Sequence, residues 1–181
     1  MNPLVSVITP YRNAKRFLPG FVDSLRSQTA QDWCCIMVDD GSSDGGPELL
    51  SDLVADDSRF LLISNTNPKH WPGPASARNC ALSLVQTDYV AFCDVDDLWH
   101  PDKLQRQLKF HRSNQFDLTV SAYARFIDGQ LDQPPQRIVC PPQKLVFRDL
   151  FGHNPIPMLT VILSADLART GFSEVAHEDF L

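Results

Sequence analysis

The sequence has no concentration of basic residues. Lysines and arginines number 16 against 22 aspartates and glutamates, which leaves a formal net charge of −6. A protein that binds the phosphates of DNA or RNA needs a basic surface, so we expect no nucleic-acid partner. The same charge argues against tight electrostatic binding to anionic lipid.

Long apolar runs and paired cysteines are also missing. No stretch approaches the length of about 20 residues that crosses a membrane, and the apolar run Leu4–Ile8 is too short for a signal peptide. The five cysteines give an odd number without any C-x-x-C spacing, which predicts free thiols in a reducing compartment: Cys34, Cys35, Cys80, Cys93 and Cys140. We therefore expect a cytoplasmic protein and leave peripheral association at the inner face of the membrane open.

Several signatures of nucleotide-binding and hydrolytic enzymes are absent. There is no G-x-G-x-x-G after the first apolar run and no G-x-x-x-x-G-K-[ST] anywhere, which argues against a dinucleotide site and a P-loop. There is also no G-x-S-x-G, so a nucleophilic serine is unsupported.

What the sequence does contain is a repeated strand–helix pattern. Short β-branched or aromatic runs alternate with stretches of helical i, i+3, i+4 spacing. The predicted strands are Leu4–Ile8, Trp33–Val38, Phe60–Ile63 and Tyr89–Cys93; the predicted helices run from Asn13 as N-cap to Gln28, from Pro47 through Val54, from the Pro72–Asn79 stretch to Val85, and from Pro101 onward. This alternation predicts one α/β domain with a mostly parallel central sheet and helices on both faces.

The pattern is less regular after Arg112. The run Leu118–Ile127 predicts one long strand, with a turn at Asp128 and Gly129 and a returning strand at Arg137–Cys140. The apolar run Met158–Leu163 predicts a further strand.

Three acids follow the fourth predicted strand at once: Asp94, Asp96 and Asp97. Carboxylates crowded at the end of a buried strand repel one another and lose hydration, so a cation is expected between them. A hard divalent metal with a phosphate on its other side meets this need. The alternative is that the acids only cap the next helix. One acid is enough for a cap, and Asp97 is our candidate for it, so the cap leaves the other two unexplained.

A second acidic loop, Asp39-Asp40-Gly41, follows the second predicted strand. Taken alone it is equally well read as a turn that ends the strand. Ligands of open parallel sheets gather at the carboxyl ends of the strands, where Thr9, Asp40 and Asp94 are all expected to lie. Arg78, at the start of a predicted helix, is expected on the same rim.

These motifs together resemble the family 2 inverting glycosyltransferases of GT-A fold. The resemblance is carried, in chain order, by Thr9-Pro10-Tyr11-Arg12-Asn13, Asp39-Asp40-Gly41-Ser42, Gly73 with Ala77-Arg78-Asn79, Asp94-Val95-Asp96-Asp97 and His177-Glu178-Asp179. It covers the whole chain. It implies a Rossmann-like α/β/α sandwich that moves a sugar from a UDP-sugar, with Mn²⁺ or Mg²⁺, to a glycan or lipid-linked acceptor in cell-surface polysaccharide synthesis.

The resemblance also implies which residues bind the donor. Thr9 and Tyr11 would border the base and ribose, and Asp40 would accept a hydrogen bond from the uracil N–H. Arg78 would lie near the nucleotide, and its alternative role is a surface salt bridge.

The remaining implied roles concern the transferred sugar. Asp94 would face the ribose and sugar, Asp96 would bind the metal, and Asp179 would act as general base toward the acceptor hydroxyl. The cation would neutralise the diphosphate leaving group, and direct attack would invert the anomeric centre without a covalent enzyme intermediate.

The C-terminus departs from the family pattern, because members usually continue well past the acid that matches Asp179, and here two residues follow it. We expect residues 1–112 to be the nucleotide-sugar-binding half and residues 113–181 to be the truncated start of an acceptor half. Such a chain would bind UDP and metal but transfer sugar poorly.

Two other functions remain open. A sugar-nucleotide pyrophosphorylase of related fold would carry a glycine-rich N-terminal loop followed by a lysine, and Thr9–Asn13 contains no glycine. A non-catalytic nucleotide-sugar-binding or scaffold domain would keep the acids without turnover.

Overall fold

The part of the chain that the structure describes forms one six-stranded sheet and a separate two-stranded ribbon. This computed structural model describes residues 3–65, 73–144, 146, 148 and 156–173. In chain order its elements are β1 Val5–Tyr11, α1 Leu18–Arg26, β2 Trp33–Asp39, α2 Gly46–Val54, β3 Phe60–Ser64, α3 Pro74–Leu82, β4 Tyr89–Phe92, α4 Lys103–Asn114, β5 Leu118–Val120, β6 Tyr123–Arg125, β7 Arg137–Val139, β8 Val161–Ser164 and α5 Ala165–Ala168.

The main sheet has the strand order β3-β2-β1-β4-β8-β5. Strands β1 to β4 pair in parallel, whereas β8 is antiparallel to both β4 and β5. The expected mostly parallel α/β sheet is confirmed. The order reverses beside β1, which is where open α/β sheets bind ligands.

Two apolar cores cover the two faces of this sheet, because successive side chains of a strand point to opposite faces. On β2, Cys35 and Met37 join the core that contains the apolar residues of α1, α2 and α4. Their neighbours Ile36 and Val38 join the core that contains those of α3 and α5. The molecule is therefore an α/β/α sandwich.

The first helix begins later than predicted. Asn13 is not its N-cap: α1 begins at Leu18 and ends at Arg26, and Asn13 has a positive φ of 50°. The backbone N–H of Asn13 donates to Ser42 Oγ at 2.9 Å, and its side-chain oxygen accepts from the N–H of Ser43 at 2.8 Å. These bonds tie Asn13 to the loop after β2, and this competes with helix formation.

The fourth helix is not capped by the acids before it. It begins at Lys103, so Pro101 is not its first residue, and Asp97 instead lies in a turn in which its N–H donates to Asp94 O at 3.0 Å. The N–H of Leu104 donates to Oε1 of the buried Gln28 at 3.1 Å. A distant glutamine therefore satisfies this helix terminus, and the capping interpretation of Asp97 was wrong.

Two of the three strand predictions in the last third need correction. The run Leu118–Ile127 is split into β5 and β6, which belong to different sheets. The predicted strand Met158–Leu163 begins with a 3-10 turn at Met158–Thr160 and becomes β8 only from Val161. The returning strand is confirmed as β7, which pairs with β6. In the part of the chain described here, no helix is long and apolar enough to cross a membrane.

Candidate functional site

The carboxyl ends of β1, β2 and β4 meet at one edge of the sheet. Tyr11 is paired with Asp39 in the β1–β2 register, and the N–H of Asp40 donates to Tyr11 O at 2.9 Å. On the other side of β1, the N–H of Cys93 donates to Ile8 O at 3.2 Å, and Asp94 follows. The structure therefore brings both acidic loops to the same edge.

Thr9 and Tyr11 reach this part of the sheet, but their side chains are buried. Thr9 is fully buried, and its hydroxyl lies 3.9 Å from Cys35 Sγ. Tyr11 is also in the core, and its burial, together with the negative charges of Asp39 and Asp44, raises the pKa of its phenol well above the usual range. Contact of either side chain with a nucleotide stays a prediction.

The two acids after β2 have different partners. Asp39 Oδ1 accepts the N–H of Ser42 at 2.9 Å, closing the turn in which Gly41 has a φ of +83°. A glycine fits this position because L-residues with a side chain rarely adopt that conformation. Asp40 makes a different contact: its Oδ1 accepts from Asn65 Nδ2 at 2.8 Å. Asp39 thus stabilises the turn, and Asp40 remains the candidate for binding the nucleotide.

The three acids after β4 form a region of concentrated negative charge. Asp96 is exposed, whereas Asp94 and Asp97 are partly buried. Burial, and then the charges of Asp94 and Asp96, raise the pKa of Asp97 to about 7. Positive charge brought to this loop would relieve the repulsion.

The acid loop fits a metal that a substrate helps to bind. Within the described residues, no group of three or more His, Cys, Asp or Glu side chains could hold a metal on its own. Mg²⁺ is usually bound by one or two carboxylates together with substrate phosphates and water, and Mn²⁺ accepts the same oxygen ligands. The exposed carboxylate of Asp96 could supply such a ligand, with Asp94 beside it.

Arg78 forms an ion pair with Asp94. Its Nη2 donates to Asp94 Oδ1 at 3.0 Å, and the exposed fractions of the two side chains are 6% and 36%. The guanidinium carbon also lies 5.4 Å from the centre of the Phe172 ring, within the distance of a cation–π contact. Arg78 does form a salt bridge, but a partly buried one, with the arginine itself in the interior, rather than the surface pair considered from the sequence.

Helix α3 connects the two acidic loops. Asn65, just after β3, donates from Nδ2 to Asp40 Oδ1 at 2.8 Å and to Oγ of Ser76 on α3 at 3.2 Å. Arg78 lies two residues further along the same helix and binds Asp94. One short helix therefore carries a side chain toward each of the two predicted donor-binding acids.

Comparison with known proteins agrees with this architecture. Residues 6–164 match the family described as "Glycosyl transferase family 2". The chain belongs to glycosyl transferase family 2. The predicted enzyme class is thereby confirmed.

Three curated relatives are each at least 32% identical to this family 2 chain. An uncharacterized glycosyltransferase of Haemophilus influenzae is 33% identical over 98% of the chain and 69% of its own length. A putative teichuronic acid biosynthesis glycosyltransferase, TuaG of Bacillus subtilis, is 35% identical over 93% and 64%. The Escherichia coli enzyme WfgD, named UDP-Glc:alpha-D-GlcNAc-diphosphoundecaprenol beta-1,3-glucosyltransferase, is 32% identical over 98% and 67%.

Solved structures show the same fold at lower identity. S. aureus TarS 1-349 in complex with UDP-GlcNAc has a TM-score of 0.76 and 21% identity, over 98% of this chain and 51% of that one. The mannosyltransferase PcManGT from Pyrobaculum calidifontis, in complex with GDP-Man and Mn2+, has a TM-score of 0.67 and 21% identity, over 99% and 50%. The predicted GT-A fold is confirmed, and the family 2 chain spans about half the length of these two chains.

Two features were not found from the sequence, one of them at the site and the other a buried lysine. Asn65 lies in a stretch rich in Asn, Pro and Gly, where nothing separates a residue that contacts the site from any other turn asparagine. Lys103 was also missed: its Nζ is buried 3.6 Å from the centre of the Trp99 ring, and burial lowers its pKa to about 7. Its spacing is that of an ordinary solvent-facing helical lysine.

The predicted general base, Asp179, lies outside the described residues. Its role, and the division of the family 2 chain into residues 1–112 and 113–181, therefore stay predictions.

Proposed function

We propose that the chain carries out metal-dependent, inverting transfer of a sugar from a UDP-sugar to a glycan or lipid-linked acceptor in cell-surface polysaccharide synthesis. Family membership supports sugar transfer and favours it over pyrophosphorylase chemistry. The names of TuaG and WfgD support a role in polysaccharide assembly, and that of WfgD supports a UDP-sugar donor and a diphosphate-linked lipid acceptor. A cytoplasmic location, free or at the inner face of the membrane, belongs to the same proposal.

One observation carries the donor half of this proposal: both acidic strand ends are linked to α3, one directly and one through Asn65. Arg78 of α3 binds Asp94, and Asn65 bridges Ser76 of α3 to Asp40. A nucleoside diphosphate needs a group that reads the base and, separately, a neutralising site for the phosphates. At one edge of the sheet, the loop after β2 offers a carboxylate for the base, and the loop after β4 offers carboxylates for a cation that would neutralise the phosphates.

Three acids of the chain would bind the donor and accept the proton of the acceptor. Asp40 would accept the N3–H of uracil. Asp94, oriented by its ion pair with Arg78, would accept hydrogen bonds from hydroxyls of the ribose and sugar. Asp179 would accept the proton of the acceptor hydroxyl as its oxygen attacks the anomeric carbon, and UDP would leave from the opposite side with the bonding electron pair.

A bound Mn²⁺ or Mg²⁺ would supply charge neutralisation for the diphosphate, with Asp96 as its protein ligand. The exposed position of Asp96 supports this assignment.

A transfer assay tests the proposal. The chain is incubated with UDP-glucose, UDP-galactose or UDP-GlcNAc and an undecaprenyl-diphospho-GlcNAc acceptor, in Mn²⁺, Mg²⁺ or EDTA, and released UDP is measured. We expect slow but metal-dependent UDP release with at least one donor and a product of opposite anomeric configuration by NMR. A chain that binds these donors in calorimetry but releases no UDP would be the binding or scaffold domain instead.

A further inference from the structure

Asn65 lies where the ladder between β2 and β3 ends. Its backbone N–H donates to Asp39 O at 2.8 Å, one step beyond the last pair of the register, Asp39 and Ser64. The main chain of Asn65 is therefore fixed beside Asp40 by the sheet itself, and its side chain starts from a well-defined position.

The side chain of Asn65, which follows β3, bonds to the loop after β2 and to helix α3. Its amide nitrogen donates to Asp40 Oδ1 at 2.8 Å and to Ser76 Oγ at 3.2 Å, and Ser76 is 3% exposed. An ionised carboxylate can only accept hydrogen bonds, so the NH₂ group rather than the carbonyl of Asn65 must face Asp40. Both amide hydrogens then have acceptors, which fixes the amide in one orientation.

This contact engages only one oxygen of Asp40. Across the described ranges, Oδ2 of Asp40 accepts no hydrogen bond, whereas Oδ1 is held by Asn65. The terminal torsion of an aspartate is broad and roughly two-fold, so an unrestrained carboxylate would rotate. Asn65 restricts that rotation and leaves the second oxygen available.

We propose that Asn65 is a specificity-determining positioning residue. It holds the Asp40 carboxylate in the orientation in which Oδ2 accepts the uracil N3–H. Binding then does not have to order this side chain, which lowers its entropic cost. The inference rests on the proposed function, because it assumes that Asp40 reads the base. It predicts an effect on uridine nucleotides that cytidine nucleotides do not share, since N3 of cytosine carries no hydrogen.

Calorimetric titration with UDP and with CDP, in the same Mg²⁺ buffer, measures this effect. We expect Asn65→Ala to weaken UDP binding about 3- to 12-fold, within the cost of ordering one side chain on binding, and to change CDP binding less than about two-fold. Asn65→Asp, of the same shape, would set two carboxylates against each other and weaken UDP further. Asn114→Ala is the control, because Asn114 is an exposed asparagine whose amide donates only to Phe110 O in α4.

A double-mutant cycle with Asp40→Ala separates positioning from a purely structural role. If Asn65 acts through Asp40, Asn65→Ala should change UDP affinity less than about two-fold once Asp40 is absent. Unchanged UDP affinity in Asn65→Ala, equal losses for UDP and CDP, or an undiminished loss in the Asp40→Ala background would each overturn the inference. Should Asn65→Ala fail to fold, as judged by circular dichroism, the same cycle is run with Asn65→Asp.

The Asp40→Ala arm alone tests the underlying function. A selective loss of UDP binding there, combined with no effect of Asn65→Ala, would leave base recognition by Asp40 standing and reject Asn65 as its positioning residue. Equal losses of UDP and CDP in Asp40→Ala would reject base recognition itself.

Discussion

The side-chain amide of Asn79 pairs with both main-chain groups of Phe172. Its Nδ2 donates to Phe172 O at 2.8 Å, and its Oδ1 accepts the N–H of Phe172 at 2.8 Å. The Phe172 ring packs edge-on against Phe92 and lies beside the guanidinium of Arg78. The segment after α5 is therefore held against α3 next to the Arg78–Asp94 ion pair.

Gly171 is the position at which this arrangement can be tested. It has a φ of +73°, and a Cβ there would lie 3.0 Å from Asn79 Oδ1. We expect Gly171→Ala to lower the free energy of unfolding by about 1–2 kcal/mol for the backbone conformation and by roughly 1 kcal/mol or more for the contact. Urea denaturation measures the sum of these two contributions.

Gly129→Ala is the matched control. Gly129 has a φ of +76°, but nothing lies within 4 Å of its Cβ position, so only the backbone contribution applies. In an Asn79→Ala background, the effect of Gly171→Ala should fall to that of Gly129→Ala. Equal effects of the two glycine substitutions in the wild-type background would contradict the close contact.

Periodicity predicted the central strands well because β1, β2 and β4 are largely buried on both faces and mostly apolar. It failed where a distant residue decides the local structure. The start of α4 depends on Gln28, far away in sequence, and residues 13–15 are held by the loop after β2 rather than by α1. Neither contact can be recognised from the residues next to it in sequence, so Asp97 and Asn13 were both interpreted as helix caps.

The same distinction between local sequence pattern and distant contacts applies to the site. Asp40 and Asp94 were predicted together because parallel strands bring their carboxyl ends to one edge. The partners of these acids, Asn65 and Arg78, depend on how α3 packs on the sheet. The burial of Arg78 could not be predicted, because an arginine in the first turns of a helix is usually exposed.

The metal assignment predicts the behaviour of Asp96→Ala. If Asp96 is the protein ligand of the cation, its removal should cost at least about 10-fold in metal affinity and most of the Mn²⁺-dependent part of UDP affinity. Calorimetric titration of UDP with and without Mn²⁺ gives this difference directly. Asp132→Ala, an exposed acid outside the acid loop, is the control. A full Mn²⁺ effect in Asp96→Ala would assign the cation to other ligands.

The buried His111 predicts a loss of stability in mild acid. It is 1% exposed, and burial lowers its pKa, although Asp117 opposes the shift. Since the folded-state pKa lies below the unfolded value of about 6.5, the unfolded state binds more protons in this range. The stability contribution is therefore complete above pH 6.5 and is lost as the pH falls toward the folded pKa.

His111→Gln should flatten this pH dependence. The free energy of unfolding of the wild type minus that of the variant should decrease from pH 7.5 to 5.5 in urea titrations. Asp97, whose pKa is raised to about 7, contributes the opposite pH dependence to both proteins and cancels in this difference. His100→Gln, at an exposed histidine, should keep the wild-type pH dependence. Parallel pH dependences for wild type and His111→Gln would show that other groups cause the acid sensitivity.

The last prediction concerns Asp179 as general base. Asp179→Asn keeps the shape of the side chain but removes a carboxylate that would take the acceptor proton during attack, so transfer should slow by about 100-fold or more. UDP affinity should stay within about two-fold, because the proposed donor contacts are made by other residues at the sheet edge. Glu178→Gln, at the neighbouring acid, is the matched control and should retain most of the transfer rate. The rate of UDP release with acceptor present, together with UDP calorimetry, distinguishes the cases: if Asp179→Asn loses UDP binding and transfer in parallel, Asp179 belongs to the donor site and the base must be sought elsewhere.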